Sequence, residues 1–314
     1  MSELFRSVLA VFVLWLTGAC VQAEVRVVIV SSDGTAAYAD AAQALTSHLM
    51  QSGVARPDIR QMTVSEWNAT NGQATAPFPQ AMVALGTDAA MTLARARLKS
   101  PVLSALIPRG SFERVLRESG RKVSAQFNAL YLDQPMQRQL SLIRLALPDA
   151  KRLGILLGPD SGLNSLVLRP LASANGLVLR EGRLDANISF FTTLQSVLEN
   201  SDVLWALADP MVFNSNNIQN ILLATIRFKV PVVAFSPAYV RAGALLALYT
   251  TPAQAGVQAA QWVLGALDNR VLPELPLEPD NFEISGNEQV ARVLNLSLDV
   301  KALTSALRRK EQLP

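Results

Sequence analysis

The feature of this sequence that most constrains its fold is a regular alternation of short apolar runs with longer amphipathic segments. The apolar runs predict strands at 25–30, 81–85, 101–107, 152–157, 203–208, 231–235 and 244–250. The amphipathic segments predict helices at 36–51, 88–98, 136–147, 164–175, 188–200, 216–229 and 253–267. Such an alternation is typical of βαβ units that build a mostly parallel sheet.

The predicted elements fall into two series, with a change of direction near 125–135. At this point the segment 124–132 (SAQFNALYL) fits either a strand or a crossover between the series. No element is assigned between 52 and 79, a segment rich in Gly, Pro, Asn and Thr. The pattern therefore predicts an α/β protein with two similar lobes.

The first 23 residues have the features of a secretory signal peptide. Arg6 precedes an apolar run at 8–16, and small residues follow this run. A membrane-spanning helix needs roughly 20 apolar residues, so the run is too short to be one. We therefore expect residues 1–23 to direct export of the chain.

The processing of this leader has two interpretations. Cleavage after Ala23 would leave Glu24 as the new N-terminus, and this is the favoured one. The alternative is a bacterial lipobox at 17–20, with Cys20 acylated and the protein tethered to a membrane. Thr17 stands where such a motif usually has Leu, which favours simple cleavage.

Composition limits the chemistry that the folded part can perform. Cys20 is the only cysteine and His48 the only histidine, so we expect no disulfide, no thiolate zinc site and no cysteine nucleophile. The net charge is only +3, and the basic residues form no stripe with interleaved aromatic residues. The sequence thus predicts neither a cofactor nor a nucleic-acid partner.

Polar residues follow the predicted strands at the points where ligands bind in open parallel sheets. In such sheets the helix N-termini beyond the strands present unpaired N–H groups. The candidate ligand-binding residues at these strand ends are Ser32, Asp33, Gly86, Thr87, Asp88, Asn164, Ser165, Asp209 and Ser236. The alternative for each hydroxyl, carboxylate or amide among them is a helix cap, worth roughly 1 kcal/mol.

The motifs of common enzymes are missing from the sequence. His48 is predicted to lie in the middle of a helix, where it is a poor candidate for a catalytic base. Neither a phosphate-binding G-x-x-x-x-G-K-[ST] loop nor a G-x-G-x-x-G fingerprint occurs. A carboxylate pair drawn from Asp88, Asp160 and Asp209 could support acid/base chemistry, with helix capping as the alternative. The prediction is therefore that the protein is not an enzyme.

Five segments, in this order and spacing, resemble the ABC-transporter substrate-binding family that includes tryptophan- and tyrosine-type binding lipoproteins. They are ALGTDAAMTLA (84–94), LALPDAKRLGILLGPDSGLNS (145–165), DVLWALADPMVFN (202–214), the long segment 230–267 that begins VPVVAFSPAY, and FEISGNEQVARVLNLSL (282–298). The resemblance implies the type I periplasmic binding protein fold, in which two Rossmann-like lobes with parallel sheets are joined by hinge strands. It also implies closure of these lobes over a small ligand.

The resemblance further implies how the chain divides between the lobes. The first lobe would comprise 24–127 and 251–284, and the second 128–250 and 285–314. Gly86, Thr87 and Asp88 would lie in the ligand loop of the first lobe. Asn164 and Ser165 would face them from the second lobe, with Asp209 at the end of its strand.

Two segments depart from the family pattern. The first loop, SSDGTAAYADA at 31–41, differs from the aromatic- or His-containing loop that is usual in the family. Where family members often carry a T-D-P sequence after the third strand, this chain has LIPRGSFERVL at 106–116. Arg109, next to Ser111, is a candidate for binding an anionic group, since a guanidinium suits bidentate contacts with a carboxylate or phosphate. The alternative is an ordinary surface arginine.

Together these observations predict an exported, monomeric solute-binding protein of the periplasm, attached to a membrane only if Cys20 is lipidated. Its expected ligand is amino acid-like or a small anionic solute, and its expected partners are an ABC permease and its ATPase. A ligand sensor on the same fold without a transport role is the alternative, and a carboxylate-dependent hydrolase comes third.

Overall fold

The computed structural model describes residues 25–70, 78–96, 98–158, 164–184, 189–214 and 216–312. The predicted signal peptide with Cys20, and Asp160 of the alternative acid/base pair, lie outside the described residues. None of the helices in the described part of the chain is both long enough and apolar enough to span a membrane.

The first sheet has five parallel strands in the order β2-β1-β3-β4-β5. They are β1 Val27–Ser31, β2 Ile59–Thr63, β3 Ala81–Leu85, β4 Val102–Ile107 and β5 Phe127–Tyr131. Every residue of β3 and β4 is buried, because helices cover both faces of the sheet. This explains why these strands are continuous apolar runs.

The second sheet has six strands in the order β11-β10-β9-β8-β6-β7. They are β6 Arg152–Leu157, β7 Val178–Arg183, β8 Val203–Trp205, β9 Val232–Ala234, β10 Leu246–Tyr249 and β11 Glu283–Gly286. All neighbours are parallel except β10 and β11, which are antiparallel. The predicted α/β class with two lobes of mainly parallel sheet is confirmed.

The α-helices alternate with these strands along the chain. They are α1 Ala36–Gln51, α2 Val64–Ala69, α3 Thr87–Ala96, α4 Arg109–Ser119, α5 Met136–Ala146, α6 Asn164–Ala174, α7 Phe190–Glu199, α8 Ile218–Arg227, α9 Pro237–Ala242, α10 Pro252–Leu267, α11 Glu288–Val293 and α12 Val300–Gln312. Each lobe has two cores, one on each face of its sheet.

The chain passes between the two sheets at three places. It leaves the first sheet after β5 and enters the core of the second lobe with α5. It returns after β10, since α10 packs on α1 in the first lobe. It crosses a third time after Leu277, whose N–H donates to the carbonyl of Ala129 at 2.7 Å, and then forms β11 in the second sheet.

The three crossing segments are hydrogen-bonded to one another. The side-chain amide of Gln134, in the first crossing, donates to Thr250 Oγ1 at 2.5 Å and to the Asn281 carbonyl at 3.3 Å. Thr250 Oγ1 in turn donates to the same Asn281 carbonyl at 3.1 Å. Gln134 and Thr250 are both buried, at 4% and 5% exposure. The crossings therefore form one compact junction between the lobes.

Candidate ligand-binding cleft

The order of strands in each sheet defines the place where a ligand is expected. In the first sheet the order reverses between β1 and β3, which end next to Ser32 and Gly86. In the second sheet it reverses between β6 and β8, which lead into Gly158 and Asp209. Ligands of open α/β sheets bind beyond the carboxyl ends of strands at such reversals. Several candidate residues from the sequence therefore lie at these two positions.

Ser32 and Asp33 shape the loop at the reversal of the first sheet. Ser32 Oγ donates to the carbonyl of Leu85 at 3.0 Å and accepts from the N–H of Ala89 at 3.1 Å. It thus joins the end of β1 to the start of α3. Asp33 is exposed, and its Oδ1 accepts from the N–H of Thr35 at 2.8 Å, just before α1. The bond from the N–H of Ala89 fits the capping alternative for Ser32, whereas the helix α1 has no side-chain cap.

Gly86 makes the turn between β3 and α3 with φ +92°, a left-handed value that favours glycine. Its N–H donates to the carbonyl of Ala105 at 2.9 Å, and the Tyr38 hydroxyl closes off the side where a Cβ would stand. Burial raises the pKa of Tyr38, a hydrogen bond with Ser32 lowers it, and the charges of Asp33 and Asp88 raise it. Tyr38 therefore keeps its proton at neutral pH and fills the loop.

Thr87 and Asp88 form the first turn of α3 at the same place. Thr87 is half-buried and Asp88 is exposed. Neither side chain has a hydrogen-bond partner within the described part of the chain, so both can face solvent or a ligand.

Asp209 holds the loops of the second lobe together. Its side chain is buried, with the residue only 4% exposed. Oδ2 accepts from the N–H of Gly158 at 2.9 Å, and Oδ1 accepts from the N–H of Met211 at 2.8 Å. The carboxylate therefore links the end of β6 to the loop after β8.

The other predicted residues of the second lobe have local structural partners. Ser165 is buried and accepts from Arg183 Nη2 at 2.9 Å. Ser236 caps α9 by accepting from the N–H of Ala238 at 3.3 Å. Asn164 begins α6, and its side chain lies outside what the structure describes.

A cleft that is partly open to solvent lies between the lobes beside the junction. It is lined by 109–111, Arg114, 133–134, Met136, Gln139 and 207–211. Two of the predicted site residues, Arg109 and Asp209, line this cleft from opposite lobes. The other predicted residues whose side chains the structure describes are not part of its lining.

Arg109 enters the cleft with its charge already paired. Its Nη2 lies 3.1 Å from Glu278 Oε1, and its guanidinium stacks 4.5 Å from the centre of the Tyr131 ring. Its backbone N–H, the first of α4, donates to Asp133 Oδ2 at 2.7 Å. Neither acidic partner was predicted from the sequence, because both are distant from Arg109 along the chain.

Five polar residues that line the cleft were not predicted as site residues: Ser111, Arg114, Asp133, Gln134 and Gln139. Asp133 follows β5, and burial raises the pKa of its carboxyl while the N–H and charge of Arg109 lower it. Ser111 and Arg114 lie on α4, where Ser111 is buried and Arg114 is exposed. The strand-end rule could have found Asp133 had 127–131 been assigned as a strand. Within the described residues, no cluster of His, Cys, Asp and Glu is arranged to hold a metal ion.

Solved structures with the same fold cover nearly the whole chain. The ABC domain from Streptococcus pneumonia in complex with L-Trp is 17% identical, with a TM-score of 0.60 over 88% of this chain and 98% of that one. A ligand-free, open substrate binding protein with adhesive properties from Clostridium difficile is 18% identical, with a TM-score of 0.66 over 87% and 95%. A periplasmic ribose ABC transporter from Conexibacter woesei is 14% identical, with a TM-score of 0.54 over 88% and 96%.

Sequence comparison extends this likeness from fold to family. No curated protein sequence matches the chain. The family model described as ABC transporter substrate binding protein, in contrast, matches residues 67–306. This range includes the cleft, the junction and most of both sheets. The chain therefore belongs to the family of ABC transporter substrate binding proteins.

Proposed function

We propose that this chain is exported, captures a small ligand between its lobes by hinge closure and delivers it to an ABC permease. The observation that carries this proposal is the position of the cleft. Its walls come from α4 of the first lobe and from 207–211 of the second, and its base is the junction that contains Gln134. A ligand in this cleft would contact both moving bodies and the hinge between them.

Closure of the two lobes would result from a difference between the ligand contacts in the open state and those in the closed state. A ligand that touches both walls makes more contacts in the closed state than in the open state, and it therefore shifts the population towards closure. The moving bodies would be the predicted lobes, 24–127 with 251–284 and 128–250 with 285–314. In this proposal β5 moves with the first lobe and β11 with the second, which is supported by the sheets that these strands join.

The ligand has to be inferred from this chain's own residues. One protein of similar fold was solved with L-Trp, and another is a ribose transporter. Both are under 20% identical to this chain, so the likeness extends to the fold alone. We infer a small solute that is amino acid-like or anionic.

The proposal also includes export of the chain and function as a monomer. Substrate-binding proteins of this family are typically extracytoplasmic and are generally not enzymes. The leader at 1–23 would supply the export signal, and Cys20 the anchor if it is acylated. The permease and ATPase would then recognise the closed, ligand-bound form.

The proposal is tested by a ligand screen combined with a measurement of shape. Thermal-shift screening of amino acids, sugars, nucleosides and small anions should identify compounds that raise the melting temperature, because a ligand stabilises the state that binds it. Small-angle X-ray scattering of the purified protein should then show a smaller radius of gyration with ligand. Binding without compaction would contradict hinge closure.

Delivery to a permease needs a separate measurement in cells. Deletion of the gene should reduce uptake of the radiolabelled ligand, and a plasmid copy should restore it. Unchanged uptake together with tight binding would favour the sensor alternative and would contradict transport.

A further inference from the structure

Arg138, in the first turn of α5, contacts three separate segments at the junction between the lobes. Its Nη1 donates to Gln134 Oε1 at 2.7 Å in the first crossing and to the carbonyl of Pro279 at 2.8 Å in the third. Its Nε donates to Glu311, near the end of α12, and the two side chains form an ion pair. The guanidinium also lies 5.2 Å from the centre of the Phe282 ring. One side chain therefore joins two crossings to the C-terminal helix.

These contacts are held away from solvent and attach the crossings to the second lobe. The Arg138 side chain is only 10% exposed, and Phe282 is 4% exposed. Hydrogen bonds of a charged donor are about twice as strong as neutral ones, and buried charges are screened less than exposed ones. Both α5 and α12 pack into one core of the second lobe, through Leu140 and Leu307. The Arg138 contacts should therefore persist while the lobes move.

The peptide unit between Pro279 and Asp280 is bound by both lobes. Its carbonyl accepts from Arg138 of the second lobe, and its N–H donates at 3.1 Å to Oε1 of Gln258, in α10 of the first lobe. Gln258 Nε2 donates to the carbonyl of Glu278 at 2.9 Å, which fixes the orientation of this side-chain amide. A trans peptide unit is planar, with its C=O and N–H on opposite edges. Each lobe thus holds one edge of the same rigid plane.

The other two crossings also change from the contacts of one lobe to those of the other over a single peptide link. In the first crossing, Asp133 accepts from the first N–H of α4, whereas Gln134 is bonded to Arg138. In the second crossing, Thr250 is bonded to Gln134, whereas Thr251 caps α10 in the first lobe. The three places where the chain can turn between the lobes are therefore closely defined.

We propose that the peptide unit between Pro279 and Asp280 is a pivot of lobe closure, and that Arg138 and Gln258 are the positioning residues that hold it. Arg138 holds the carbonyl edge in the second lobe, and Gln258 holds the N–H edge in the first. The lobes turn about this plane while both hydrogen bonds stay formed, and Glu311 keeps the guanidinium in place. This inference rests on the proposed function and specifies the point about which closure takes place.

The test measures the distance between the lobes in the protein without ligand. Spin labels are attached to cysteines introduced at two exposed positions, Asp40→Cys in α1 and Thr192→Cys in α7. The full-length chain also carries Cys20→Ser, so that no other cysteine is present. Double electron–electron resonance then gives the distribution of distances between the labels. We expect a narrow distribution when the pivot is intact.

Variants at the two positioning residues should widen this distribution. Arg138→Met and Gln258→Met keep a side chain of similar length but remove the donors or the acceptor that hold the peptide unit. Each should broaden the distribution about twofold, because orientations of the lobes that the pivot excludes become populated. Arg138→Lys keeps the charge and one donor group, and it should give an intermediate width.

Arg144→Met is the matched control. Arg144 also lies in α5 and is half-buried, but its Nη1 donates at 2.7 Å to the carbonyl of Ala150 within the second lobe. Its replacement should lower the melting temperature and leave the distance distribution of the labels unchanged. The control therefore separates a loss of stability from a loss of the pivot.

The outcomes separate the pivot from the proposed function. Wild-type widths for both Arg138→Met and Gln258→Met would overturn the pivot, and so would equal broadening in Arg144→Met. If Arg138→Met does not fold, Arg138→Lys and Gln258→Met decide by the same criterion. Broadening in the variants without compaction of the wild type by any ligand would leave the two residues as those that fix the angle between the lobes. It would contradict capture of a ligand by closure.

Discussion

The hydroxyl group of Tyr38 occupies the space that a side chain on Gly86 would need. Tyr38 lies in the first turn of α1 and Gly86 between β3 and α3, so this contact joins α1 to the loop after β3 at the strand-order reversal of the first lobe. Ser32 Oγ is also within contact distance of the same position. The loop is thus fixed by a backbone conformation and by packing at once.

Gly86→Ala should therefore be strongly destabilising. The substitution combines a left-handed backbone angle with a clash against Tyr38, and strained positions of this kind typically cost about 1–3 kcal/mol before the clash is added. Gly53→Ala is the matched control, since Gly53 has φ +93° and no atom within 4 Å of the position that a Cβ would take. Urea unfolding should show a clearly larger loss for Gly86→Ala. Equal losses would mean that Tyr38 moves aside without difficulty.

Asp209→Ala should lower the free energy of unfolding by about 2 kcal/mol or more. The substitution leaves the N–H groups of Gly158 and Met211 without their carboxylate acceptor. Asp209→Asn keeps one side-chain oxygen and should lose less. Unchanged stability of Asp209→Ala with loss of ligand affinity would instead show that the carboxylate serves the ligand.

Asp202 should make stability depend on pH in the acidic range. Burial raises the pKa of its carboxyl, but hydrogen bonds from the Arg152 side chain and from the N–H groups of Lys151 and Arg152 lower it, and the net shift is downward. A pKa lower in the folded state than in the unfolded state stabilises the fold above the unfolded value, about 3.9. This stabilisation is lost as the pH falls towards the folded value.

Chemical unfolding of wild type and Asp202→Asn at a series of pH values tests this sign. The difference in stability between them should be largest near neutral pH and should shrink below about pH 4. Asp40→Asn, at an exposed position in α1, is the control and should stay close to the wild type at every pH. A difference that grows on acidification would contradict the assignment.

Thr250→Val should loosen the junction between the lobes. Valine has nearly the shape of threonine, but it cannot accept from the Gln134 amide or donate to the Asn281 carbonyl. We expect a loss of about 1–3 kcal/mol in unfolding free energy. Thr192→Val, exposed on α7, is the matched control and should be nearly neutral. Equal stabilities of the two variants would show that the junction is held by packing alone.

The mature N-terminus should begin at Glu24. Intact-mass spectrometry of the protein isolated from cells would show a mass that corresponds to cleavage after Ala23. An N-terminal Cys20 with added acyl chains would show the lipid-anchored alternative and would contradict this prediction. Detergent extraction of the membrane fraction distinguishes the two forms independently.

The central strands of both sheets were predictable from sequence, and the edge strands were not. The runs 81–85 and 152–157 coincide with β3 and β6, because central strands covered on both faces are continuously apolar. The edges β2, β7 and β11 carry polar side chains, and they received no strand assignment. The remaining edge, β5, was ambiguous between a strand and a crossover. An edge strand has a neighbour on one side only, so its sequence is less constrained.

The residues of the candidate site were also predictable only in part. The rule about strand ends led to Asp209, and the departure from the family pattern led to Arg109; both residues line the cleft. The strand-end rule cannot tell a capping side chain from a free one, and Ser32 and Ser236 prove to make capping bonds. Ser111 and Arg114 lie inside a helix rather than at a strand end. Their position in the cleft can be seen only in the three-dimensional structure.

The return of α10 to the first lobe affects how the chain can fold. The backbone carbonyl of Ala41 in α1 lies against Gly256 of α10, so closely that no side chain would fit between the two helices. Leu45 of α1 and Val263 of α10 share one buried core. This face of the first lobe stays uncovered until α10 has been synthesised, long after the strands of its sheet. Contacts so distant in sequence slow folding, so the first lobe can complete its core only after the chain has been synthesised through most of the second lobe.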